Sequence, residues 1–154
     1  MKVKFTRIKE GAKVPSRGST KAAGYDLYAC IKPEFPDIME DFAQVEIPPH
    51  KTVMIGTGLA IQPPEGYWGA IFARSGLATK QGLRPSNCVG MCDEDYTGEY
   101  IVALHNDSDE TRWVQNGDRI AQLTFIPYIS AEFEEVEALD KTDRGSGGFG
   151  STGK

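Results

Sequence analysis

The fold is decided by the stretch Gly90-Met91-Cys92-Asp93-Glu94-Asp95-Tyr96-Thr97-Gly98-Glu99, which runs directly into Tyr100-Ile101-Val102-Ala103-Leu104. The first part holds a dense cluster of carboxylates with a glycine at each end, a composition typical of a tight turn from which polar side chains project. The second part is rich in residues that favour β-structure. The sequence therefore predicts a loop-to-hairpin element, with Asp93 at its head and a buried strand behind it.

Two ordinary interpretations compete with a catalytic one for this acidic loop. The spacing of Asp93, Asp95 and Gly98 resembles a calcium-binding loop. Thr97 and Leu104, however, stand where that loop needs further oxygen ligands, so the calcium interpretation fails on its own spacing. The other interpretation is an exposed acidic turn that only solvates a hairpin, and the loop by itself leaves this alternative open.

The length and composition predict a single soluble all-β domain. A chain of 154 residues is of ordinary domain size and can bury about 68–70% of its unfolded surface. It is 40% hydrophobic and 25% charged, and its 17 glycines and 9 prolines indicate many turns between short strands. The net charge of −5 argues against nucleic acid as a general partner, although local arginines can still hold a small anion.

The remaining strands are predicted from apolar periodicity. Charged residues thread the N-terminal segment 1–8, which therefore reads as a half-buried strand and not as a signal peptide or membrane span. Thr52 to Ile61 is expected to be a bent strand or a strand pair, Trp113 to Gly117 a turn, and Ala131 to Leu139 a last, weakly patterned strand. Further strands are predicted over 22–29, 45–47, 68–73 and 118–126.

Three cysteines occur in the chain, at Cys30, Cys88 and Cys92. Their odd number, together with the lack of a Cys-x-x-Cys motif, predicts reduced thiols and a cytoplasmic location. A metal site at Cys88 and Cys92 is not expected, because His50 and His105 are too distant in the sequence to complete it.

Residues 31–50 contain four prolines and an acidic centre from Asp37 to Asp41. They predict an exposed excursion that ends in a strand near Val45. No catalytic chemistry is indicated there, but the segment 31–46 is a candidate surface for a regulatory protein partner.

A second candidate site is Arg74-Ser75-Gly76, at the end of the strand predicted over 68–73. A guanidinium, a hydroxyl and an outward-pointing glycine amide suit a phosphate group, and a helix over Leu77 to Gln81 would add free N–H donors. The alternative is a strand-end cap with a solvated arginine.

Polar residues on two predicted strands need an explanation. Asp26 lies between aromatic residues and is either functional or an ordinary turn carboxylate. Gln122, on an otherwise buried strand, needs a partner that is either a core group or a ligand. Gly24, on the strand of Asp26, marks a bulge or a close approach to the backbone.

The C-terminal segment 142–154 is rich in glycine. The spacing of Gly148 to Lys154 matches a phosphate-binding loop, but the sequence stops where the Ser/Thr and helix of that motif would follow, so a Walker motif is not expected. Consecutive glycine amides can still wrap phosphate oxygens, with further donors from Arg144, Ser151 and Thr152. The alternative is a disordered linker, which the arginine and phenylalanine of the segment fit poorly.

These stretches, taken together, resemble the five motifs of the trimeric deoxyuridine triphosphatases (dUTPases). The resemblance covers nearly the whole chain in the family's order, over Ala22–Ala29, Ala73–Ala78, Gly90–Glu99, Gly117–Leu123 and Arg144–Gly153. It implies a jelly-roll β-barrel with at most one short helix, a catalytic domain over 1–141 and a flexible Gly-rich arm over 142–154. It also implies a homotrimer in which each arm closes over an active site that its neighbours build.

The matching positions imply a role for each candidate residue. Asp93 resembles the general base that activates water, and Tyr96 the aromatic residue on which the deoxyribose packs, leaving no room for a 2′-hydroxyl. Asp26 resembles a carboxylate near a water-coordinated Mg²⁺. The residues that resemble base contacts are Asn87, the Met91 and Cys92 backbone and Phe149; those that resemble phosphate contacts are Arg74, Ser75, Gly76 and Gln122; and the arm would add Arg144, Gly150, Ser151 and Thr152.

The resemblance implies hydrolysis of dUTP to dUMP and pyrophosphate, by attack of an Asp93-activated water on the α-phosphorus with Mg²⁺. Such a reaction lowers dUTP and supplies dUMP for thymidylate synthesis. A tight hairpin would exclude the thymine methyl group, and its backbone would leave a buried group unpaired with cytosine, at about 1–3 kcal/mol. Two features depart from the family pattern: Met91 and Cys92 replace more usual aliphatic residues, and the 31–46 segment is longer than in compact members.

Two other functions are weighed against this one. A dCTP deaminase of related fold would release ammonia from dCTP, and the spacing of Asp93 and Tyr96 argues against it. A protein-binding module that is switched by nucleotide would bind dUTP but release no pyrophosphate.

Overall fold

The computed structural model describes residues 1–32 and 43–149. These residues form ten β-strands and one helix. The helix, α1, spans Ser75–Gln81 and begins two residues before the segment 77–81, which the sequence analysis considered as a possible helix. The strands are β1 Lys4–Arg7, β2 Tyr25–Tyr28, β3 Gln44–Ile47, β4 Thr52–Gln62, β5 Tyr67–Phe72, β6 Leu83–Pro85, β7 Val89–Cys92, β8 Glu99–Asn106, β9 Arg112–Gln115 and β10 Arg119–Pro127. The predicted all-β class is confirmed.

Two four-stranded antiparallel sheets enclose the core. The first sheet has the order β1-β4-β8-β6 and the second the order β2-β10-β5-β7, while β3 and β9 form a separate pair. Most neighbours in the sheets are distant in sequence, for instance β2 and β10. This is the connectivity of a jelly roll, in which strands are exchanged between two packed sheets.

Strand β8 shows how the side-chain pattern places the core. Tyr100, Val102 and Leu104 are buried, whereas Ile101 between them is 42% exposed. Successive side chains of a strand point to opposite faces, so one face of β8 points into the core cluster that also contains Leu27 of the second sheet.

Strand β4 is a single strand with a bulge, so the bent strand, and not the strand pair, is the form present of the two that the sequence left open. Its pairing with β8 shifts in register between Gly56 and Ala60. Gly58, inside this bulge, has φ +69°, and a Cβ there would lie 2.8 Å from Ala12 Cβ and from Cys30 Sγ. Only glycine meets both the backbone and the packing requirement.

The hairpin predicted at Gly90–Glu99 is wrong, although the buried strand predicted behind it is present as β8. Strand β7 pairs with β5 in the second sheet, whereas β8 pairs with β4 and β6 in the first. The acidic loop therefore carries the chain from one sheet to the other. Gly90 is a buried residue of β7 and faces Ile71. A Cβ added to Gly90 would lie only 3.1 Å from Ile71 Cβ. Close strand packing, and not a turn, requires glycine there.

Three smaller predictions are also wrong. Every residue of β1 is exposed, including Phe5 at 45%, so the first strand is not half-buried within the single chain. Trp113 belongs to β9, and the predicted turn is confined to the residues after Gln115. No described residue after Pro127 lies in a helix or strand; the strand predicted over 131–139 has no partner, and Phe133 is 97% exposed.

Other predictions on the chain can be compared with the described residues. The strand near Val45 is present as β3, but 33–42, the larger part of the 31–46 excursion, lie outside the described residues. None of the three cysteines is joined in a disulfide. No helix in the described part of the chain has the length and apolar character needed to cross a membrane.

Candidate active site

Asp26, on β2, is held between two arginines at one end of the second sheet. Its Oδ1 accepts a hydrogen bond from Arg74 Nε at 2.8 Å, and its Oδ2 accepts one from Arg119 Nη1 at 3.2 Å. The side chain is only 14% exposed, and a carboxylate tolerates this depth because both oxygens face positive charge. The structure thus brings together Asp26 and Arg74, which the sequence analysis singled out separately.

Arg119 is a site residue that the sequence analysis missed. Besides Asp26, it contacts Arg74, whose Nη1 donates to the Arg119 carbonyl at 3.2 Å. Arg119 lies in the same sequence motif as Gln122, Gly117–Leu123, and this position could have indicated a role in the site. Its acidic partner, however, is 93 residues away, and no local pattern reports such a pair.

Gln122, on β10, ties this cluster to the end of β5. Its Nε2 donates to the Ala73 carbonyl at 2.8 Å, immediately before Arg74. On its other side lies Gly24, where a Cβ would be 2.8 Å from Gln122 Oε1. The close approach predicted at Gly24 is therefore confirmed, and the approaching group is the Gln122 amide.

Ser75 and Gly76 form the first turn of α1. Both are exposed, and no atom of residues 1–32 or 43–149 lies within 4 Å of a Cβ built on Gly76. The N-cap residue Arg74 makes no side-chain capping hydrogen bond within the described residues, and the first turn of α1 contains no acidic residue. The free N–H groups of this turn are thus open to solvent beside Arg74, an arrangement that suits an anion.

Asp93 follows β7 and lines a pocket of about 410 Å³. The pocket is also lined by Trp68, Met91, Glu94, Asp95 and Tyr128. Glu94 Oε2 accepts hydrogen bonds from the Gly66 backbone at 2.7 Å and from Tyr128 Oη at 2.8 Å, and the bond to Glu94 raises the pKa of Tyr128. The exposed Asp93 carboxylate accepts none from the described residues, so it remains available to a water molecule or ligand.

Tyr96 is fixed beside Asp93 in a partly exposed position. Its Oη donates to the Glu99 carbonyl at 2.9 Å, and its ring centroid lies 6.2 Å from that of Tyr100. Tyr96 as a whole is 43% exposed. A Cβ on Gly98 would overlap this ring, so glycine leaves the space that the ring occupies. Tyr96 therefore presents a supported aromatic surface to solvent.

Asn87, Met91 and Cys92 lie on either side of a tight turn. Val89 N donates to the Asn87 carbonyl at 2.6 Å, and Cys88 has φ +63°. Met91 is 67% exposed, but the Cys92 side chain is buried. Of Cys92, only the backbone is therefore accessible to a ligand.

The Cys92 thiol faces Tyr100 in the core. Burial raises the pKa of Cys92 to about 11 and also raises the pKa of Tyr100. Tyr100 Oη has no nitrogen or oxygen partner among the described residues. Its polar neighbour is the sulfur of Cys92, which is a weak donor and acceptor.

Arg74 and Asp93 lie at opposite ends of the second sheet. Phe72, two residues before Arg74, pairs with Val89, whereas Cys92, just before Asp93, pairs with Gly69. At roughly 3.3 Å per residue along a strand, the two backbones are about 15–20 Å apart. The single chain therefore does not bring the two candidate clusters onto one reacting group.

The C-terminal candidates lie apart from both clusters. Arg144 Nε donates to the Gly147 carbonyl at 2.8 Å within the tail itself. Phe149 has φ +51° and is fully exposed. Gly150, Ser151 and Thr152 lie outside the described residues.

Comparisons of the sequence and the fold with known proteins all point to the same family. The family model described as dUTPase matches residues 10–153. A deoxyuridine 5′-triphosphate nucleotidohydrolase of Desulfitobacterium hafniense is 44% identical over 154 residues, which cover 99% of this chain and 95% of the relative. The mitochondrial human enzyme of the same name is also 44% identical, over all of this chain and 56% of its own length.

Solved structures agree with the fold. The dUTPase of Staphylococcus bacteriophage 80alpha, bound to dUPNHPP, superposes with a TM-score of 0.84 at 25% identity, and the match covers 99% of both chains. It is one of the phage dUTPases that control transfer of virulence genes by a proto-oncogenic G protein-like mechanism. A mutant dUTPase of phage phi11 of S. aureus, which coordinates a structural Mg(II) ion, has a TM-score of 0.77 at 23% identity.

Proposed function

Because this chain belongs to the dUTPase family and hydrolyses dUTP to dUMP, we propose that Asp93 activates the water that attacks the α-phosphorus and releases pyrophosphate. One observation carries this assignment: the Asp93 carboxylate is exposed on the wall of a pocket and accepts no hydrogen bond from the described residues. An ionised carboxylate that is not engaged elsewhere can accept the proton of a water within hydrogen-bond reach. Glu94 is engaged by Gly66 and Tyr128.

The substitution Asp93→Asn tests the assignment, because it keeps the shape of the side chain and removes the basic carboxylate. Pyrophosphate release from dUTP should fall by about 10²–10⁴-fold, the usual contribution of a general base. Affinity for dUTP, measured by calorimetry, should change little. Asp95→Asn, in the same pocket, is the matched control and should retain turnover. Near-normal turnover by Asp93→Asn would refute the role.

Tyr96 and the turn at Asn87 would select the nucleoside. The supported ring of Tyr96 offers a flat surface for a deoxyribose, and a 2′-hydroxyl would meet that ring. Backbone groups of Asn87, Met91 and Cys92 would read uracil, since the Cys92 side chain is directed into the core. A group fixed on the main chain discriminates strongly, because a wrong base leaves a buried polar atom unpaired.

The cluster at the other end of the sheet would bind the phosphates. Arg74 supplies a guanidinium, Ser75 and Gly76 supply the open N–H groups of α1, and Gln122 supplies an amide. Arg119 adds a second positive charge at the same place. Phosphoryl transfer depends on positioning and charge compensation, and these groups provide both for a substrate with several negative charges.

The residues present fit a Mg²⁺ ion that is held mainly by the substrate. No three His, Cys, Asp or Glu side chains converge into a metal-binding group in the described part of the chain, and Mg²⁺ typically takes substrate phosphates, water and few carboxylates. Asp26, whose oxygens are paired with Arg74 and Arg119, would contact the ion through water. When bound, Mg²⁺ would neutralise phosphate charge.

We further propose a homotrimer with active sites shared between chains. The separation of Arg74 and Asp93 supports it, because a phosphate near Asp93 would then be held by Arg74 of a neighbouring copy. An uncovered apolar surface supports it as well. Val89 and Met91, on the outer face of the second sheet, are 38% and 67% exposed, and such an apolar sheet face is typically covered by a partner.

The tail would complete the site of a neighbour. The catalytic domain is proposed to span 1–141 and the arm 142–154, with Arg144, Phe149, Gly150, Ser151 and Thr152 contacting the bound nucleotide. Phe149 is fully exposed in the single chain, so it is free to cover a base. The cytoplasmic location and a regulatory partner at 31–46 stay predictions.

A further inference from the structure

Lys9 and Glu99 form a partly buried ion pair at the end of the loop that carries Asp93 and Tyr96. Lys9 Nζ donates to Glu99 Oε1 at 2.8 Å, and the two side chains are 33% and 15% exposed. The same Oε1 accepts a hydrogen bond from Gly58 N at 2.8 Å. Glu99 is thus attached both to the bulge of β4 and to the segment that follows β1.

The surrounding backbone is shaped to admit this pair. A Cβ on Gly56 would overlap both Glu99 Oε1 and Lys9 Nζ, so glycine leaves the space that the charged groups fill. The Lys9 backbone is held by the same bulge, since its N–H donates to the Gly58 carbonyl at 3.3 Å. Lys9 is therefore fixed at both its main chain and its side chain.

Glu99 is also in contact with the proposed sugar-binding residue. Its carbonyl accepts the hydrogen bond from Tyr96 Oη at 2.9 Å. The side chain and the backbone of Glu99 thus act on different neighbours: the carboxylate anchors the residue to Lys9 and Gly58, and the carbonyl orients the Tyr96 ring. Any movement of Glu99 would be passed to that ring.

We propose that Lys9 and Glu99 are positioning residues that hold the Tyr96 ring in the orientation that rejects a 2′-hydroxyl. The inference rests on the proposed role of Tyr96. A partly buried ion pair is a weak source of stability compared with apolar packing. The contacts of Glu99 with Lys9, Gly58 and Tyr96 instead fix the position of Glu99. The pair therefore contributes to selectivity for deoxyribose.

The test is the ratio of kcat/KM for dUTP to kcat/KM for UTP. This ratio is independent of the fraction of enzyme that is folded, because both substrates are offered to the same preparation. Lys9→Met and Glu99→Ala should each lower it by about fivefold or more, with a higher KM for dUTP and a smaller change in kcat, since the sugar contact serves ground state and transition state alike. An unchanged ratio in both variants would overturn the inference.

A conservative variant and a control sharpen the result. Glu99→Gln keeps an oxygen that can accept from Lys9 and Gly58, so it should retain the wild-type ratio. Glu110→Ala removes a different ion pair, with Arg112 Nη1 at 3.1 Å, and should also retain it. A loss of selectivity in Glu110→Ala equal to that in Glu99→Ala would contradict a specific role.

A double-substitution cycle tests the path through the Tyr96 hydroxyl. Tyr96→Phe removes only the bond to the Glu99 carbonyl and should lower the ratio as well. If Lys9 acts through that bond, Lys9→Met combined with Tyr96→Phe should lower the ratio no further than the larger single effect. Additive losses would refute the path. Failure of the wild type to release pyrophosphate from dUTP would refute the proposed function instead, so the two failures are distinct.

Discussion

Hydrogen-bond partners distinguish Asp93 from Glu94 in the acidic loop. Asp93 and Glu94 are adjacent in sequence, yet Glu94 accepts two hydrogen bonds from Gly66 and Tyr128. Asp93 accepts none from the described residues and faces a pocket. The Glu94 carboxylate therefore stabilises the loop, and the Asp93 carboxylate remains available for catalysis. Asp26, on β2, differs from both of these residues, because its two oxygens form ion pairs with two arginines.

Cys92 gives the protein a pH dependence at the level of a single residue. Burial raises its pKa from an ordinary value of 9.0 to about 11. Below pH 9 the thiol is protonated in both the folded and the unfolded chain. Between pH 9 and 11 only the unfolded chain loses the proton, so rising pH favours unfolding over this interval. Tyr100, whose pKa is also raised by burial, acts in the same direction.

The melting temperature should therefore fall as the pH rises from about 9 to 11, and Cys92→Ala should make this fall less steep. Calorimetry at several pH values measures both slopes. Cys88→Ala removes an exposed thiol and leaves the Cys92 contact with Tyr100 intact, so its slope should match that of the wild type. Parallel curves for the wild type and Cys92→Ala would show that the buried thiol does not carry the effect.

The pairing of β2 with β10 positions the phosphate-binding groups. Asp26 pairs with Gln122 across these strands, and Gln122 pairs with Phe72 of β5 on its other side. Adjacent strands are about 4.8 Å apart, so three motifs that are distant in sequence meet in one row. Gly24 lets the Gln122 side chain lie against β2 within this row.

Gly24→Ala should reduce activity more than stability. The new Cβ would lie 2.8 Å from Gln122 Oε1 and would displace the amide from the Ala73 carbonyl. We expect kcat/KM for dUTP to fall about tenfold, equivalent to about 1.4 kcal/mol, with a melting temperature within a few degrees of the wild type. Gly18→Ala is the matched control, because nothing lies within 4 Å of its Cβ. Equal activity of the two variants would contradict this role for Gly24.

At the scale of the whole molecule, the proposed assembly makes a complementation test possible. Arg74→Ala and Asp93→Asn should each be inactive alone. If one site takes Arg74 from one chain and Asp93 from another, coexpression of both variants produces some sites with both native residues. Random mixing in a symmetric trimer gives about one quarter of such sites. Pyrophosphate release by the purified mixture measures the recovery, and no recovery would place both residues in one chain's site.

Most of the strands and the local motifs were determined by the sequence. Strand β8 follows from residues that favour β-structure, β10 from alternating polar and apolar residues, and the close approach at Gly24 from the glycine itself. Each of these signals acts over a few residues. The candidate residues Asp93, Arg74 and Gln122 were found from local sequence patterns. The family resemblance supplied their roles and added Tyr96.

The pairing of distant residues was decided by the tertiary structure alone. Local patterns do not report which strands become neighbours, so the crossing of Gly90–Glu99 from one sheet to the other was read as a hairpin. The hydrogen bond between Arg119 and Asp26 joins residues 93 positions apart, and the ion pair between Lys9 and Glu99 joins residues 90 positions apart. Such contacts depend on how two sheets pack, and that is set by burial over the whole chain and not by any one segment.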